Sequence, residues 1–472
     1  MKKNLNIVLI LLFFLTACSV VTTPPLVPTE TPQLLEPTSM ETPTLSPSAT
    51  PTETPTQPIE SLAVTQQSVN EFANAMQNAG VSVTKEQLLQ QDIQIQTVTG
   101  IDGKQYEIAT IHLDPDQTQQ GETLEGDYPL MVKTGKSWEQ ATLKALANMN
   151  EVKIGVYVGS YGVEQGWQKR NEIQKREFNA GLVSMEWKQV QTAKGVISFP
   201  DWLSQDLSIC TSLDMTECYL HTVTWFQNTP DYLRSLPPEQ VKAEVSAYIN
   251  AVVKRYKGKV NIYNIVNEAF YTYGVGDVLM QKLGKNYITF LFDEAAKEAN
   301  AGDVLIYNDY NVLFGASSKA GERTQQIKEI LQSLKDSAVI KDSKVIVGLG
   351  IQAHLLSHDN LTKEQLAEVI DGFGVPVIIS EADVILSDNN SANRLQTQAE
   401  IYKLLMDGVL ISKNCKSVYI LGTDDSASFF ERSPSLPYFS SKADPLLFDD
   451  NFEKKASYYG LLQSLFENLL KQ

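Results

Sequence analysis

The 472-residue chain is poor in the residues that build metal centres and disulfide frameworks, with four cysteines and four histidines. None of them falls into zinc spacing, and no cofactor motif stands out, so neither a catalytic metal nor an organic cofactor is expected. Basic charge is scarce as well: 39 Lys and Arg against 56 Asp and Glu leave a net charge of −17. That balance, with no basic motif, argues against nucleic acid as a partner, because gripping phosphates takes clustered cations. Neutral glycans tolerate such a charge. Long apolar runs are also missing; the stretch over residues 7–15 is too short to cross a bilayer as a helix. A hydrophobic fraction of 43% is nevertheless ordinary for a folded protein, and the length suits one large barrel with attachments.

What is present at the N-terminus reads as an address. Lys2 and Lys3 precede the apolar run, which ends in Leu15-Thr16-Ala17-Cys18. This resembles a bacterial lipobox and implies a signal peptide over residues 1–18, cleavage before Cys18 and lipidation of its sulfur. The protein would then be extracytoplasmic, held to the membrane of a bacterial cell envelope by its lipid anchor alone. An ordinary cleaved signal is the competing reading. Residues 19–59 are dominated by Thr, Pro and Ser without apolar periodicity, the composition of a disordered spacer. Export would let Cys210 and Cys218 close a short loop as a disulfide, but a pair of unpaired thiols is equally compatible with the sequence.

Between residues 60 and 127 a helical pattern through Val69, Phe72, Ala75 and Met76 is followed by strand-like segments at 93–98 and 106–112, with a turn at Gly100-Ile101-Asp102-Gly103. This predicts a small α+β accessory module. From residue 128 to 472, apolar β-branched runs alternate with amphipathic stretches such as 238–256 and 286–300. Eight strands are predicted, at 152–158, 180–185, 219–225, 261–266, 304–307, 345–352, 377–380 and 418–421. The fold class is therefore α/β, a (β/α)8 TIM barrel. A monomer is expected.

Residues with chemical potential collect at the C-terminal ends of these strands. His221 and Trp225 lie on the third, Asn267 and Glu268 end the fourth, and Asn308-Asp309-Tyr310-Asn311 ends the fifth. Gln352 and His354 end the sixth, and Glu381 and Asp383 the seventh. In a barrel these ends share the face on which active sites are assembled. A strand-end Glu alone is more often a salt-bridged rim residue. Two of them, accompanied by His, Asn and Gln, fit glycoside hydrolysis, which requires one protonated and one ionised carboxyl about the scissile bond.

Over residues 128–470 the chain is similar to glycoside hydrolase family 10, the family of endo-β-1,4-xylanases. The resemblance rests on ordered motifs: the segment 143–155, Ser184-Met185-Glu186-Trp187, His221-Thr222-Val223-Thr224-Trp225 and Ile265-Val266-Asn267-Glu268-Ala269-Phe270. Tyr307-Asn308-Asp309-Tyr310-Asn311, Gly350-Ile351-Gln352-Ala353-His354-Leu355, Ser380-Glu381-Ala382-Asp383 and Pro445-Leu446-Leu447-Phe448-Asp449 complete them. It implies a retaining β-glycosidase acting on β-1,4-linked plant polysaccharide or oligosaccharide, with Glu268 as acid/base and Glu381 as nucleophile. Asn267 would bind the 2-hydroxyl of the reacting sugar, and His221 and Trp225 would touch the same sugar. His354 would orient Glu381 and be fixed in turn by Asp383; Gln352, Tyr310 and Asn228 would line the site. The chain departs from the family at sugar-contact positions. Leu182-Val183 stands where Glu-Asn is usual, Glu186 for lysine, Phe226 for histidine, Asn228 for glutamine, and Leu421 and Phe429 for tryptophans. Those departures motivate the alternative of a non-hydrolytic surface glycan-binding lipoprotein on a degenerate barrel.

Overall fold

The computed structural model describes residues 62–81, 85–90, 93–113, 125–159, 166–269, 277–313, 318–356, 362–386, 394–428 and 443–472. Cys18, the Thr/Pro-rich spacer and Phe429 lie outside the described residues. The chain from Ile59 to Gln472 clusters as one unit.

Its first part is an antiparallel sheet in the order β1 (Gln94–Thr99), β2 (Gln105–Leu113), β3 (Gly126–Thr134) and β4 (Ser137–Gln140). The helix Leu62–Asn78 precedes it and buries Val69, Phe72, Ala75 and Met76, the apolar stripe of the sequence. The expected module boundary at 127/128 falls inside β3, so the sheet needs residues up to Gln140 to be complete. Phe72 packs on Tyr128 of β3 at 4.9 Å, and the seam with the remainder is aromatic too, with Phe72 meeting Tyr459 on the last helix edge-on at 5.1 Å.

The second part is the predicted barrel. Its strands are β5 (Lys153–Tyr157), β6 (Ala180–Ser184), β7 (Glu217–His221), β8 (Thr224–Trp225), β9 (Ile262–Asn267), β10 (Val304–Asp309), β11 (Ile346–Leu356), β12 (Val377–Ile385) and β13 (Cys415–Ile420). All pair in parallel, and the β9–β10 pairing closes the ring. The predicted third strand is two pieces, β7 and the short β8, both paired to β9. The strands carry near-continuous apolar runs because both faces are covered. Every residue of β9 and of β12 is buried. Inward-facing Ala180, Leu182, Tyr219, Ile262, Ile306, Ile378 and Tyr419 fill the barrel interior as a cluster of their own. Helices cover the outside. Pro238–Tyr256 shows why they form: proline opens its first turn, and Val241, Val245, Tyr248, Ile249, Val252 and Tyr256 make one buried stripe. Tyr248 stacks on Trp187 at 4.8 Å and donates its hydroxyl hydrogen to the Val223 carbonyl, pinning the link between β7 and β8. Cys210 and Cys218 form a disulfide that ties the helix Asp201–Ser212 to the start of β7, which resolves the two sequence alternatives. Among the described residues no helix is long and apolar enough to cross a membrane.

Candidate active site

Strand register brings the polar residues together. Between β11 and β12 the pairing runs Ile351 with Ile379 and then Gln352 with Glu381, so Ser380 is an extra residue, a bulge of the kind that re-aims side chains. Beyond it the register aligns His354 with Asp383. A second irregularity, between Ile306 and Tyr307, sets Asn308 opposite Asn267, while β8 sets Trp225 opposite Asn267 from the other side. Both shifts fall where the packed interior gives way to the functional end.

The result is one hydrogen-bonded network. Glu268 receives three donors: Trp225 Nε1 at 3.0 Å on Oε2, with Gln352 Nε2 at 2.9 Å and Asn267 Nδ2 at 3.0 Å on Oε1. Asn267 Oδ1 accepts from Asn264 at 3.1 Å and Asn308 at 2.7 Å. Asn308 Nδ2 also donates to Glu381 Oε1 at 2.9 Å, and its own Oδ1 accepts from Ser380 at 2.6 Å. The two glutamates are thus joined through Asn267 and Asn308. His354 presents Nε2 to Glu381 Oε2 at 3.4 Å and Nδ1 to Asp383 Oδ2 at 2.9 Å. His221 Nε2 lies 3.7 Å from Glu381 Oε1, and Asn264 and Tyr219 hold its Nδ1 side. Glu268 itself has φ +56°, a left-handed conformation that costs a non-glycine residue about 1 kcal/mol. Its backbone N–H is anchored on the Asn308 carbonyl at 2.8 Å.

Of the residues singled out from sequence, Glu268, Glu381, Asn267, His221, Trp225, Gln352, His354 and Asp383 meet in this network. Tyr310 follows β10 directly and stands beside it. Asn228 lies further out, on the short turn Phe226–Asn228, where its Oδ1 accepts the Lys188 backbone N–H at 3.3 Å. Sequence reading missed Asn264 and gave Asn308 and Ser380 no role. One signal was available: an amide at position 264 inside the apolar run 262–266 needs a buried partner. Leu182 and Val183 are both fully buried, the first in the barrel interior and the second in the outer core, so neither offers a polar group to a ligand.

Electrostatics separates the two glutamates. Burial pushes the Glu268 carboxyl up to about 7; Glu381 and Asp309 add to the rise, and the hydrogen bonds from Gln352 and Trp225 offset part of it. Burial acts on Glu381 in the same sense, but the neighbouring His221 and His354 rings and the Asn308 amide outweigh it and hold this carboxyl below its ordinary value. Burial lowers His221, against the opposing pull of the neighbouring Glu381. In His354 the same burial effect is overcome by Asp383 and Glu381, which raise it well above the usual imidazole value. His354 is therefore the cation that balances Glu381. Near neutrality one carboxyl is a proton donor and the other an anion, the division that glycoside hydrolysis requires.

Comparison with known proteins leads to the same place. The sequence pattern described as "Glycosyl hydrolase family 10" matches residues 142–464, about two-thirds of the chain. The chain is 28% identical over 296 residues to endo-1,4-beta-xylanase A of Fusarium oxysporum f. sp. lycopersici, covering 60% of this chain and 85% of that relative. It is 24% identical over 341 residues to endo-1,4-beta-xylanase B of Thermotoga neapolitana, covering 68% and 91% respectively. In fold it is similar to native xylanase 10B from Thermotoga maritima, with a TM-score of 0.60 and 24% identity over 70% of this chain and 100% of that one. It is also similar to the endo-1,4-beta-xylanase XylE of Penicillium canescens, at 0.58 and 18% over 69% and 97%. With the pattern spanning the whole ring of strands, the chain belongs to glycosyl hydrolase family 10 and is a glycoside hydrolase.

Proposed function

We propose that the protein is a retaining endo-1,4-β-xylanase working by double displacement. The observation that carries this reading is the pair of strand-end glutamates, linked through Asn267 and Asn308 and driven to opposite protonation states. Glu381 attacks the anomeric carbon while the bond to the leaving oxygen breaks and Glu268 transfers its proton to that oxygen. The glycosyl ester removes the negative charge from Glu381, which favours ionisation of Glu268. Glu268 then takes a proton from water as that water attacks the anomeric carbon, and Glu381 leaves as carboxylate. Asn267 spends one amide hydrogen on Glu268 and keeps the other for the sugar 2-hydroxyl. His354, fixed by Asp383, orients Glu381; His221, Trp225, Gln352 and Tyr310 wall the reacting sugar, and Asn228 serves a more distant one.

Xylan as the polymer is supported by the xylanase relatives. The test is turnover by purified protein on xylan, xylo-oligosaccharides, mixed-linkage glucan and aryl β-xylosides. Xylan and its oligomers are expected to be cleaved internally, with Glu381→Gln reduced to less than about a thousandth. Binding without cleavage by a correctly folded wild type defeats the reading.

Placement belongs to the same proposal. Lipidation of Cys18 and the Thr/Pro-rich spacer would hold a monomeric barrel away from the bacterial membrane on its extracytoplasmic side. Mass spectrometry of the mature N-terminus decides it: an acylated Cys18 supports the anchor, and an unmodified peptide starting elsewhere removes it.

A further inference from the structure

Behind the wall residue Tyr310 sits a cation that the reaction scheme does not use. Arg323, on the helix Ser318–Asp336, donates from Nη1 to the Tyr310 carbonyl at 2.7 Å and places its guanidinium 4.3 Å from the centre of the Tyr310 ring. The same Nη1 lies 3.5 Å from Oδ1 of Asp309, a side chain with no exposed surface at the end of β10. Asp309 is held on its other oxygen by the Tyr307 hydroxyl at 2.5 Å and receives the Tyr310 backbone N–H on Oδ1 at 2.9 Å. Both residues of the Asp309-Tyr310 step are therefore gripped by one guanidinium arriving from outside the barrel.

Resting on the glycosidase reading above, we propose that Arg323 is a positioning residue of the active site. It clamps the Tyr310 ring in place and supplies the counter-charge to Asp309, the buried carboxylate on the strand next to Glu268. Arginine suits both tasks, since a planar guanidinium can stack on a ring and form directed bonds at once. Without it Asp309 would be a buried charge with only neutral donors, and such a group takes up a proton.

The consequence reaches Glu268. The groups that set its charge balance are Glu381 on β12, Asp309 and Tyr310 at the end of β10, and the neutral donors Trp225, Gln352 and Asn267. Asp309 adds to the upward push on Glu268, so neutralising Asp309 lets Glu268 lose its proton at lower pH. Arg323→Met is expected to move the alkaline limb of the kcat/KM profile to lower pH, on the order of 0.5 unit, and to reduce the maximum about tenfold as Tyr310 loosens. Arg323→Lys should restore the limb, because the charge is back, but only part of the maximum, because the stacking and the fork are not. Asp309→Asn should move the limb in the same direction with Arg323 intact, and it serves if Arg323→Met fails to fold.

The profiles are measured on a substrate the wild type hydrolyses. In parallel, the Glu268 carboxyl is titrated by ¹³C NMR in glutamate-labelled protein, with Glu268→Gln identifying the signal. Lower-pH titration of Glu268 in Arg323→Met and Asp309→Asn, and recovery in Arg323→Lys, supports the proposal even if no tried glycan is turned over. An unchanged Glu268 titration in both folded variants overturns it while leaving the hydrolase reading intact.

Discussion

Glu268 and Glu381 are chemically identical side chains with opposite proposed tasks, and what separates them is which neighbours carry charge. Glu268 is surrounded by neutral donors and two other carboxylates, whereas Glu381 has the imidazolium of His354 beside it. The pH dependence follows with a definite sign. The proposed double displacement needs Glu381 ionised, so kcat/KM should fall as pH drops through its value, which lies below that of an ordinary carboxylate. The same scheme needs Glu268 protonated, so kcat/KM should fall again as pH rises through about 7. A bell with its alkaline shoulder near neutrality is the expected outcome of initial-rate measurements. In Asp383→Asn, His354 loses the carboxylate that helps hold it cationic, Glu381 loses part of its counter-charge, and the acid limb should move to higher pH.

At the scale of elements, the accessory sheet and the barrel are welded rather than strung together. Lys454 is buried at the seam, 3.2 Å from Glu71 on the helix Leu62–Asn78 and 3.6 Å from Glu177, with its ammonium 4.5 Å from the centre of the Tyr458 ring. Glu177 keeps Arg176 and the Tyr458 hydroxyl as partners if the lysine goes, while Glu71 is left with amides. Burial raises Glu71, but Lys454 and the amides outweigh it and the net shift is downward. Lys454→Met should therefore destabilise the protein by about 3 kcal/mol at neutral pH, read from denaturant unfolding. The sign with pH is fixed. A depressed carboxylate lends its stability above the unfolded value of about 4.3 and loses it as pH falls through the folded one, so wild type and variant should converge in acid.

The same scale explains how much could be read in advance. The eight barrel strands and the helix 238–256 were legible because burial on both faces writes long apolar runs, and the two strand-end glutamates stood out as polar interruptions of those runs. The bulge at Ser380 was not legible, since a one-residue register shift leaves no mark in composition, and the His354–Asp383 alignment depends on it. Nor was Arg323. A cation on an amphipathic helix looks like solvent-facing charge until the fold lays it against Asp309. The module boundary missed because β3 crosses it, pairing with β2 on one side and with β4 on the other.

For the whole molecule, barrel closure is what turns scattered strand ends into a site. Asn267 and Glu268 follow from β9, Asn308 from β10, Gln352 and His354 from β11, Glu381 and Asp383 from β12, and only the ring places them around one point. The acidic surface implied by a net charge of −17 would not hinder the neutral polymer proposed as substrate, and the buried side chains of Leu182 and Val183 offer it no polar contact. Double displacement, as proposed, requires a covalent bond to Glu381. Wild-type protein incubated with a 2-deoxy-2-fluoro xyloside bearing an activated leaving group, digested and sequenced by mass spectrometry, should carry the fluorosugar on the peptide containing Glu381. A label on any other residue, or unlabelled protein that still turns over its substrate, would contradict it.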